Sequence, residues 1–262
     1  MTYTVESVCA ILDKLFPPSL AEPWDRVGLI AGAPEDPVHK VAFAVDPCET
    51  TVNEALERGA DMLITHHPLY LRGTSTVAAT TPKGSWVTRA IRAQLALFSA
   101  HTNADVLAST KALADIVGMD VERPLDEESG IGGVGTLREP MPLKALVEKF
   151  ADGLPKVPAG LLASGNPDQL ITRLAISSGS GDSFLASANA SGADAYFTAD
   201  LRHHPATDHI WGGGCALICA THFASEWPLL KVMEERLLGE LPELDTYIST
   251  LSTDAWNIAV RG

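Results

Sequence analysis

An internal repeat constrains the fold of this chain more than any other feature of its sequence. Residues 41–67, VAFAVDPCETTVNEALERGADMLITHH, align without gaps on residues 174–200, LAISSGSGDSFLASANASGADAYFTAD. Both segments have the pattern of a strand, a turn and a helix, followed by Gly-Ala-Asp and, after three more residues, Thr. A second match follows in the same order, between residues 96–105 and residues 217–226. The repeat therefore predicts two related α/β halves.

Short apolar runs alternate with helix-like segments along most of the chain, which is typical of α/β architecture. We expect two related α/β lobes, each with a mixed sheet flanked by helices. The segment DVERPLDEESGI, residues 120–131, is acidic and carries no periodicity, so we place the domain boundary there. The predicted N-terminal lobe is residues 1–125 and the predicted C-terminal lobe is residues 126–262.

Composition excludes several classes of protein. The formal net charge of −14 disfavours nucleic acid and anionic membranes as partners. No stretch approaches the 18 or more apolar residues of a membrane span, and the N-terminus lacks the pattern of a signal peptide. We therefore expect a cytoplasmic protein whose four cysteines, Cys9, Cys48, Cys215 and Cys219, are reduced.

Three predicted strands end in residues of the types that bind metals. His66 and His67 follow the first of these strands, His101 and Asp105 follow the second, and the third leads to a further His-x-x-x-acid pair. In open α/β sheets, ligands bind beyond the carboxyl ends of the strands. Because the backbone turns at a strand end, two adjacent imidazoles can reach two points a few Å apart, which suits a pair of metals with Asp105 as the candidate bridge.

The third pair is His222 with Glu226. Pro228 indicates that the following helix begins near Ser225, so that the pair spans the entry to the helix. Each of the three pieces has a plainer interpretation alone: a loop feature, a helix cap or a solvated pair. Their recurrence at three strand ends of one architecture favours a metal site.

Other motifs carry weaker indications. SSGSGDS follows a strand and opens a helix, so its backbone N–H groups could hold a phosphate, although a tight turn needed only for packing is an equal alternative. Asp200, His203 and His204 could support the metal ligands or carry protons, unless they are exposed loop residues.

Two apparent motifs are rejected. The glycines of a G-x-G-x-x-G pattern, Gly130, Gly132 and Gly135, follow an acidic linker instead of a strand, so no dinucleotide site is predicted there. Cys215 and Cys219 lie in an apolar strand, which favours core packing over a zinc site with His222.

The order of six motifs resembles one known family. WDRVGLIAG, ITHHPLY, SAHTNADV, SSGSGDS, YFTADLRHH and THFASE are similar to the motifs of the Nif-three-like dinuclear metal centre proteins, also called GTP cyclohydrolase I type 2 homologues. The resemblance covers nearly the whole chain. It implies a metal site between the two lobes and a toroidal homohexamer. Longer members of the family carry an inserted domain between the halves, for which we expect no room in 262 residues.

The resemblance also implies the ligands of the two metals, with His101 close by as a supporting residue or an occasional ligand: His66, His67, Asp105, His222 and Glu226. Arg26 departs from the Asn that the family often has after Trp-Asp. His and carboxylate ligands without thiolates fit two divalent ions of Zn, Mn, Fe, Co or Ni.

Two functions follow as expectations. The first is a metal-dependent hydrolase of the GTP cyclohydrolase I type 2 kind, acting on a nucleotide or another phosphorylated small molecule. The alternative is a non-enzymatic metal-binding scaffold or regulator that acts as an oligomer. The expected partners are a small-molecule substrate and further copies of the chain, without nucleic acid or membrane.

Overall fold

A computed structural model describes residues 3–260 of the chain. Within that range the strands, numbered β1 to β13 in chain order, are Tyr3–Thr4, Gly28–Ala31, Pro37–Val38, Lys40–Ala44, Met62–Thr65, Ala96–Ser99, Met119–Arg123, Gly133–Pro142, Leu162–Ser164, Leu170–Ser180, Ala195–Ala199, Ala216–Ala220 and Asp245–Ile248.

The helices, α1 to α10, are Val5–Leu15, Glu49–Glu57, Pro82–Arg92, Thr102–Ala104, Thr110–Val117, Leu143–Gly153, Leu185–Ala190, His203–Trp211, His222–Glu226 and Leu229–Glu240. Two single 3-10 turns and one π-helical turn, Asp105–Ser109, complete the helical structure of the described residues. No helix within residues 3–260 has the length and apolar character that crossing a membrane requires.

Contacts divide the chain into two compact units. Residues 3–104 and 230–253 form the first, and residues 105–229 and 254–260 form the second. The boundary expected between residues 125 and 126 lies inside the second unit, where β7 pairs with β8. The chain returns to the first unit at its C-terminal end because β13 pairs with β4. The assignment of residues 1–125 and 126–262 to two halves stays a prediction.

The first unit contains a five-stranded sheet in the order β13-β4-β5-β6-β2. Its first four strands are parallel and β2 is antiparallel to β6. Strands β4 and β5 are buried on both faces, which explains their nearly continuous apolar sequence. Helix α2 packs Val52 and Ala55 into the same core as Val87 and Ala90 of α3.

The second unit contains a six-stranded sheet in the order β7-β8-β10-β11-β12-β9. Strands β10, β11 and β12 are parallel, and the other strands are antiparallel to their neighbours. Phe150 of α6 stacks on Phe197 of β11, with 4.1 Å between ring centroids, at the centre of this core. The fold is thus mixed α/β with helices packed on sheets, as the sequence predicts.

The internal repeat is visible in the topology of the two units. The order β4-β5-β6-β2 in the first sheet corresponds to β10-β11-β12-β9 in the second, with three parallel strands and then one antiparallel edge strand in each. Helix α2 connects β4 to β5, and α7 connects β10 to β11. The prediction of two related α/β halves, made from an ungapped alignment, is consistent with this shared order.

Candidate metal centre

His66 and His67 leave the end of β5, where the chain stops being a regular strand. Their backbone N–H groups still donate to the carbonyls of Ala44 and Val45, at 3.1 and 2.9 Å, so the turn is held against the end of β4. His66 is fully buried, and its Nδ1 lies 3.1 Å from the carbonyl oxygen of Ala100. A carbonyl only accepts hydrogen bonds, so Nδ1 carries the proton and Nε2 carries the lone pair of the neutral ring.

The ring of His67 is oriented by a carboxylate. Its Nδ1 lies 2.7 Å from Oδ1 of Asp46, which stands just after β4, and Thr253 donates its hydroxyl to Oδ2 of the same carboxylate. A carboxylate behind a histidine fixes its tautomer and makes the other nitrogen more basic, as it does behind metal-bound histidines. Asp46 was not among the residues predicted from the sequence.

The ring of His101 is held in the same way by Asp25, at 2.8 Å from Nδ1 to Oδ1. Asp25 is buried and also accepts hydrogen bonds from the backbone and hydroxyl of Thr102 and from the backbone of Arg26. Burial opposes the charged form of Asp25, but the hydrogen bonds from His101 and Thr102 outweigh it and hold the pKa of the carboxyl well below its usual value. Asp25 therefore stays an anion behind His101.

His66, His67 and His101 form one cluster in the first unit. Each offers a ring nitrogen, and these atoms lie within 4.8 Å of one another. The ring centroids are 5.0 Å apart for two of the pairs and 5.3 Å apart for His67 and His101. Three converging imidazoles without thiolates are a donor set that suits borderline divalent metals. The structure thus brings His101, expected only nearby, into the same cluster as the predicted pair.

In the second unit, His222 and Glu226 share a single helical turn. Thr221 caps this turn by accepting from the backbone of Ala224 at 3.4 Å, so α9 begins at His222. The expectation that the helix begins near Ser225 was wrong, because the capping hydroxyl of Thr221 starts the turn three residues earlier. Both side chains consequently lie on one face, four residues apart.

His222 faces a carboxylate at each ring nitrogen. Nδ1 lies 2.6 Å from Oδ2 of Asp200, and Nε2 lies 3.0 Å from Oε1 of the buried Glu226. Two atoms that each bind the same ion at about 2.1 Å, at a right angle to each other, are about 3 Å apart. Nε2 of His222 and Oε1 of Glu226 therefore have the spacing of two ligands of one metal. Asp200, proposed from the sequence as a supporting residue, has the left-handed φ of 53°.

Asp105 begins the π-helical turn that precedes α5. Its Oδ1 accepts hydrogen bonds from Ser109 at 2.7 Å and from Ser178 of β10 at 3.1 Å. Such turns occur often at functional sites, since the extra residue re-aims a side chain. The two serine bonds fix the orientation of this carboxylate within the second unit.

The structure also places three other groups of residues that the sequence analysis singled out. His203 and His204 are exposed at the start of α8, with ring centroids 5.1 Å apart, and neither belongs to a ligand cluster among the described residues. Cys215 and Cys219 also join no such cluster within residues 3–260, and all four cysteines are free thiols. Gly135 lies inside β8, and the helix that follows, α6, begins only at Leu143, eight residues later.

Asp25 and Asp46 are the residues that the sequence analysis missed. Asp46 had a usable signal, because it is the second residue after β4, just as His67 is the second residue after β5. Asp25 lies in the WDRVGLIAG motif, but its contact with His101, 76 residues away, has no local signal. Together these carboxylates determine the tautomers of two of the four imidazoles.

Comparison with known proteins identifies relatives over nearly the whole chain. The family model Duf34/NIF3 (NGG1p interacting factor 3) matches residues 3–255. A Streptomyces coelicolor relative called GTP cyclohydrolase 1 type 2 homolog is 41% identical over 270 aligned positions, which cover 98% of this chain and 94% of the relative.

Solved structures share the fold over almost the full length. A Bacillus cereus protein related to NIF3 has a TM-score of 0.89 at 19% identity, with 98% of this chain and 99% of that chain covered. A Staphylococcus aureus hypothetical protein has a TM-score of 0.85 at 26% identity, with the same coverage. The match of the family model to residues 3–255 and the 41% identity to the Streptomyces relative show that the chain belongs to the DUF34/NIF3 family.

Proposed function

We propose that the protein is a dinuclear metal-dependent hydrolase that acts on a nucleotide or another phosphorylated small molecule. One observation carries the proposal: four imidazoles each have Nδ1 beside a carbonyl or carboxylate oxygen, so that Nε2 is the nitrogen presented to a ligand. This orientation is what metal binding requires of a histidine. Relatives named GTP cyclohydrolase 1 type 2 homolog support a hydrolytic reaction on a nucleotide.

The proposed ligands of two divalent ions are one imidazole pair from the first unit and one imidazole with two carboxylates from the second: His66, His67, Asp105, His222 and Glu226. Oxygen and nitrogen donors fit Zn, Mn, Fe, Co or Ni. When bound, a pair of such ions supplies the means to acidify water and to stabilise negative charge on a displaced group.

The chain's own residues would hold these ligands and move protons. Asp25 and Asp46 hold His101 and His67 in the tautomer that presents Nε2, and they stabilise the ring if it gains a proton. His101 belongs to the first cluster but is not among the five ligands, so it is the candidate proton carrier beside them. The rings of Trp24 and His101 are in edge-to-face contact, at 5.9 Å between centroids.

The test is metal analysis combined with an activity assay. Protein purified without added metal should contain two divalent ions per chain, and metal-loaded protein should hydrolyse at least one member of a panel of nucleotides and sugar phosphates. His67→Ala should lose metal and activity together. His39→Ala is the matched control, because His39 also lies beside an aspartate, Asp61, but at an exposed position. Metal content and turnover that are unchanged in His67→Ala would reject the proposal.

A metal-binding scaffold or regulator, acting as a homohexamer in the cytoplasm, is the second candidate function. The family description names an interacting factor, and an exposed apolar stretch near the C-terminus, with Trp256, Ile258 and Val260, gives this chain a surface for protein contacts. This function predicts metal-dependent assembly without turnover. Sedimentation of metal-loaded and chelator-treated protein, alongside the activity panel, separates the two functions.

A further inference from the structure

A polar cavity of about 320 Å³ lies in the second unit beside the end of β10. Its walls are formed by Ser180, Asp182, Ser183, Arg202 and Pro205. Two serines and one arginine therefore line the same space. Ser180 is the residue after Gly179, and Arg202 is two residues after Asp200, which orients His222. The cavity is thus built by the same two loops that hold a proposed metal ligand.

The guanidinium of Arg202 is held in place by a carboxylate that is itself mostly buried. Oδ1 of Asp182 accepts the backbone N–H of Arg202 at 3.1 Å, and Oδ2 accepts its Nε–H. The side chain of Asp182 is only 12% exposed, whereas that of Arg202 is 77% exposed. Both oxygens of the Asp182 carboxylate accept hydrogen bonds from Arg202. The aspartate therefore positions the guanidinium, and the positive charge of Arg202 compensates its negative charge.

A guanidinium held through Nε still has two Nη groups to offer. Among residues 3–260, the hydrogen bonds of Arg202 run through its backbone N–H and its Nε–H. The Nη groups form a planar fork that matches two oxygens of one phosphate, and serine hydroxyls are common additional donors to phosphate. His203 and His204 follow Arg202 and are exposed, so nitrogen donors are concentrated here in a chain of net charge −14.

We propose that Arg202, Ser180 and Ser183 bind the phosphate group of the substrate. The proposal rests on the proposed function, since it takes the ligand to be the phosphorylated compound on which the enzyme acts. It assigns phosphate recognition to side chains of the second unit, and not to the backbone N–H groups of the SSGSGDS loop. The substrate class is therefore a compound that presents a terminal phosphate group to these side chains.

Titration calorimetry with inorganic phosphate tests the site in the full-length, metal-loaded protein. Arg202→Gln keeps the length of the side chain and removes its charge, and the phosphate affinity should fall about tenfold or more. Ser183→Ala should weaken binding by a smaller factor and guards against a folding defect of the first variant. Arg138→Gln is the matched control, because Arg138 also donates from Nε to an aspartate, Asp120, but lines no part of this cavity.

Two outcomes would overturn the proposal: phosphate affinity unchanged in Arg202→Gln, or an equal loss in Arg138→Gln, which would indicate only general electrostatic attraction. Measuring the metal content of each variant distinguishes a failure of the phosphate site from a failure of the proposed function. Arg202→Gln should bind as much metal as the unmodified protein, and His222→Ala should keep the Arg202-dependent phosphate binding. If the protein holds no metal but still binds phosphate through Arg202, the proposal of a metal-dependent hydrolase is rejected and the proposal of a phosphate site stands.

Discussion

The carboxylate of Glu226 lies where a side chain on Gly179 would have to be. A Cβ built on Gly179 would be 2.6 Å from Oε1 of Glu226 and 3.5 Å from Nε2 of His222. The backbone N–H of Gly179 donates to Oγ of Ser225 at 2.9 Å, and Ser225 donates to the carbonyl of His222 at 2.8 Å. The end of β10 is therefore packed directly on the helical turn that carries two proposed ligands.

Replacing Gly179 by alanine should disturb the proposed metal ligands. The new methyl group cannot occupy a position 2.6 Å from Oε1, so the Glu226 carboxylate has to move. We expect metal affinity to fall by about 10–100-fold, the usual effect of losing a group that positions a ligand. The measurement is competition with a chromophoric chelator, together with the free energy of unfolding in urea.

Gly192→Ala is the control for backbone strain. Gly192 has a φ of +73°, close to the +61° of Gly179, but a Cβ there would meet no atom within 4 Å. Both variants should lose about 1–2 kcal/mol of stability from the left-handed backbone alone. Metal binding that is equally weak in both variants, or unaffected in both, would contradict the steric role of Gly179.

Asp46→Asn should weaken metal binding without removing a ligand. The amide oxygen can still accept from Nδ1 of His67, but it carries no charge to raise the basicity of Nε2. We expect a 10–100-fold loss of metal affinity, about what such substitutions behind metal-bound histidines cause. Asp61→Asn, behind the exposed His39, is the matched control and should bind metal like the unmodified protein. Equal affinities in all three proteins would show that Asp46 has only a structural role.

The strand ends that carry candidate ligands could be predicted from the sequence because their pattern is local. A strand followed by His-His or His-x-x-x-acid is visible in a few residues, and the repeat places these segments on equivalent strands of two sheets. The parallel order of β4, β5 and β6 follows from the same alternation of strands and helices.

The partners of those ligands could not be predicted, because they depend on tertiary structure. Asp25 meets His101 only when a loop before β2 folds against the end of β6. The start of α9 was misplaced for a related reason: Pro228 indicated a later helix, and the competing cap at Thr221 prevailed. The C-terminal return of β13 to β4 also has no local signal.

Phe150→Ala should destabilise the second unit strongly. Phe150 is fully buried, and its ring stacks on Phe197 at 4.1 Å between centroids. Removing the ring leaves a cavity in a closely packed core, which costs about 3–5 kcal/mol. Trp211→Ala, at a position that is 78% exposed, should change the free energy of unfolding by no more than about 0.5 kcal/mol. Urea unfolding followed by circular dichroism measures both, and similar values for the two variants would contradict the assigned core.

Cys9 and Cys215 should react slowly with alkylating reagents while the protein is folded. Burial, with a smaller contribution from the Asp13 carboxylate, raises the pKa of the Cys9 thiol to about 11, and burial raises the pKa of Cys215 to about 11. At pH 8 a thiol with that pKa has about a hundredfold less reactive thiolate than one with the ordinary value near 9.

Peptide-resolved mass spectrometry of iodoacetamide labelling, in native protein and in urea, measures this difference for Cys9 and Cys215. The sign for stability is the same for both thiols: their folded pKa lies above the unfolded value of 9.0, so their contribution is complete below pH 9 and is lost as pH rises towards 11. Labelling rates in the folded protein should therefore still increase between pH 9 and pH 11. A plateau near pH 9 would show that access to the thiols, and not their protonation, limits the reaction.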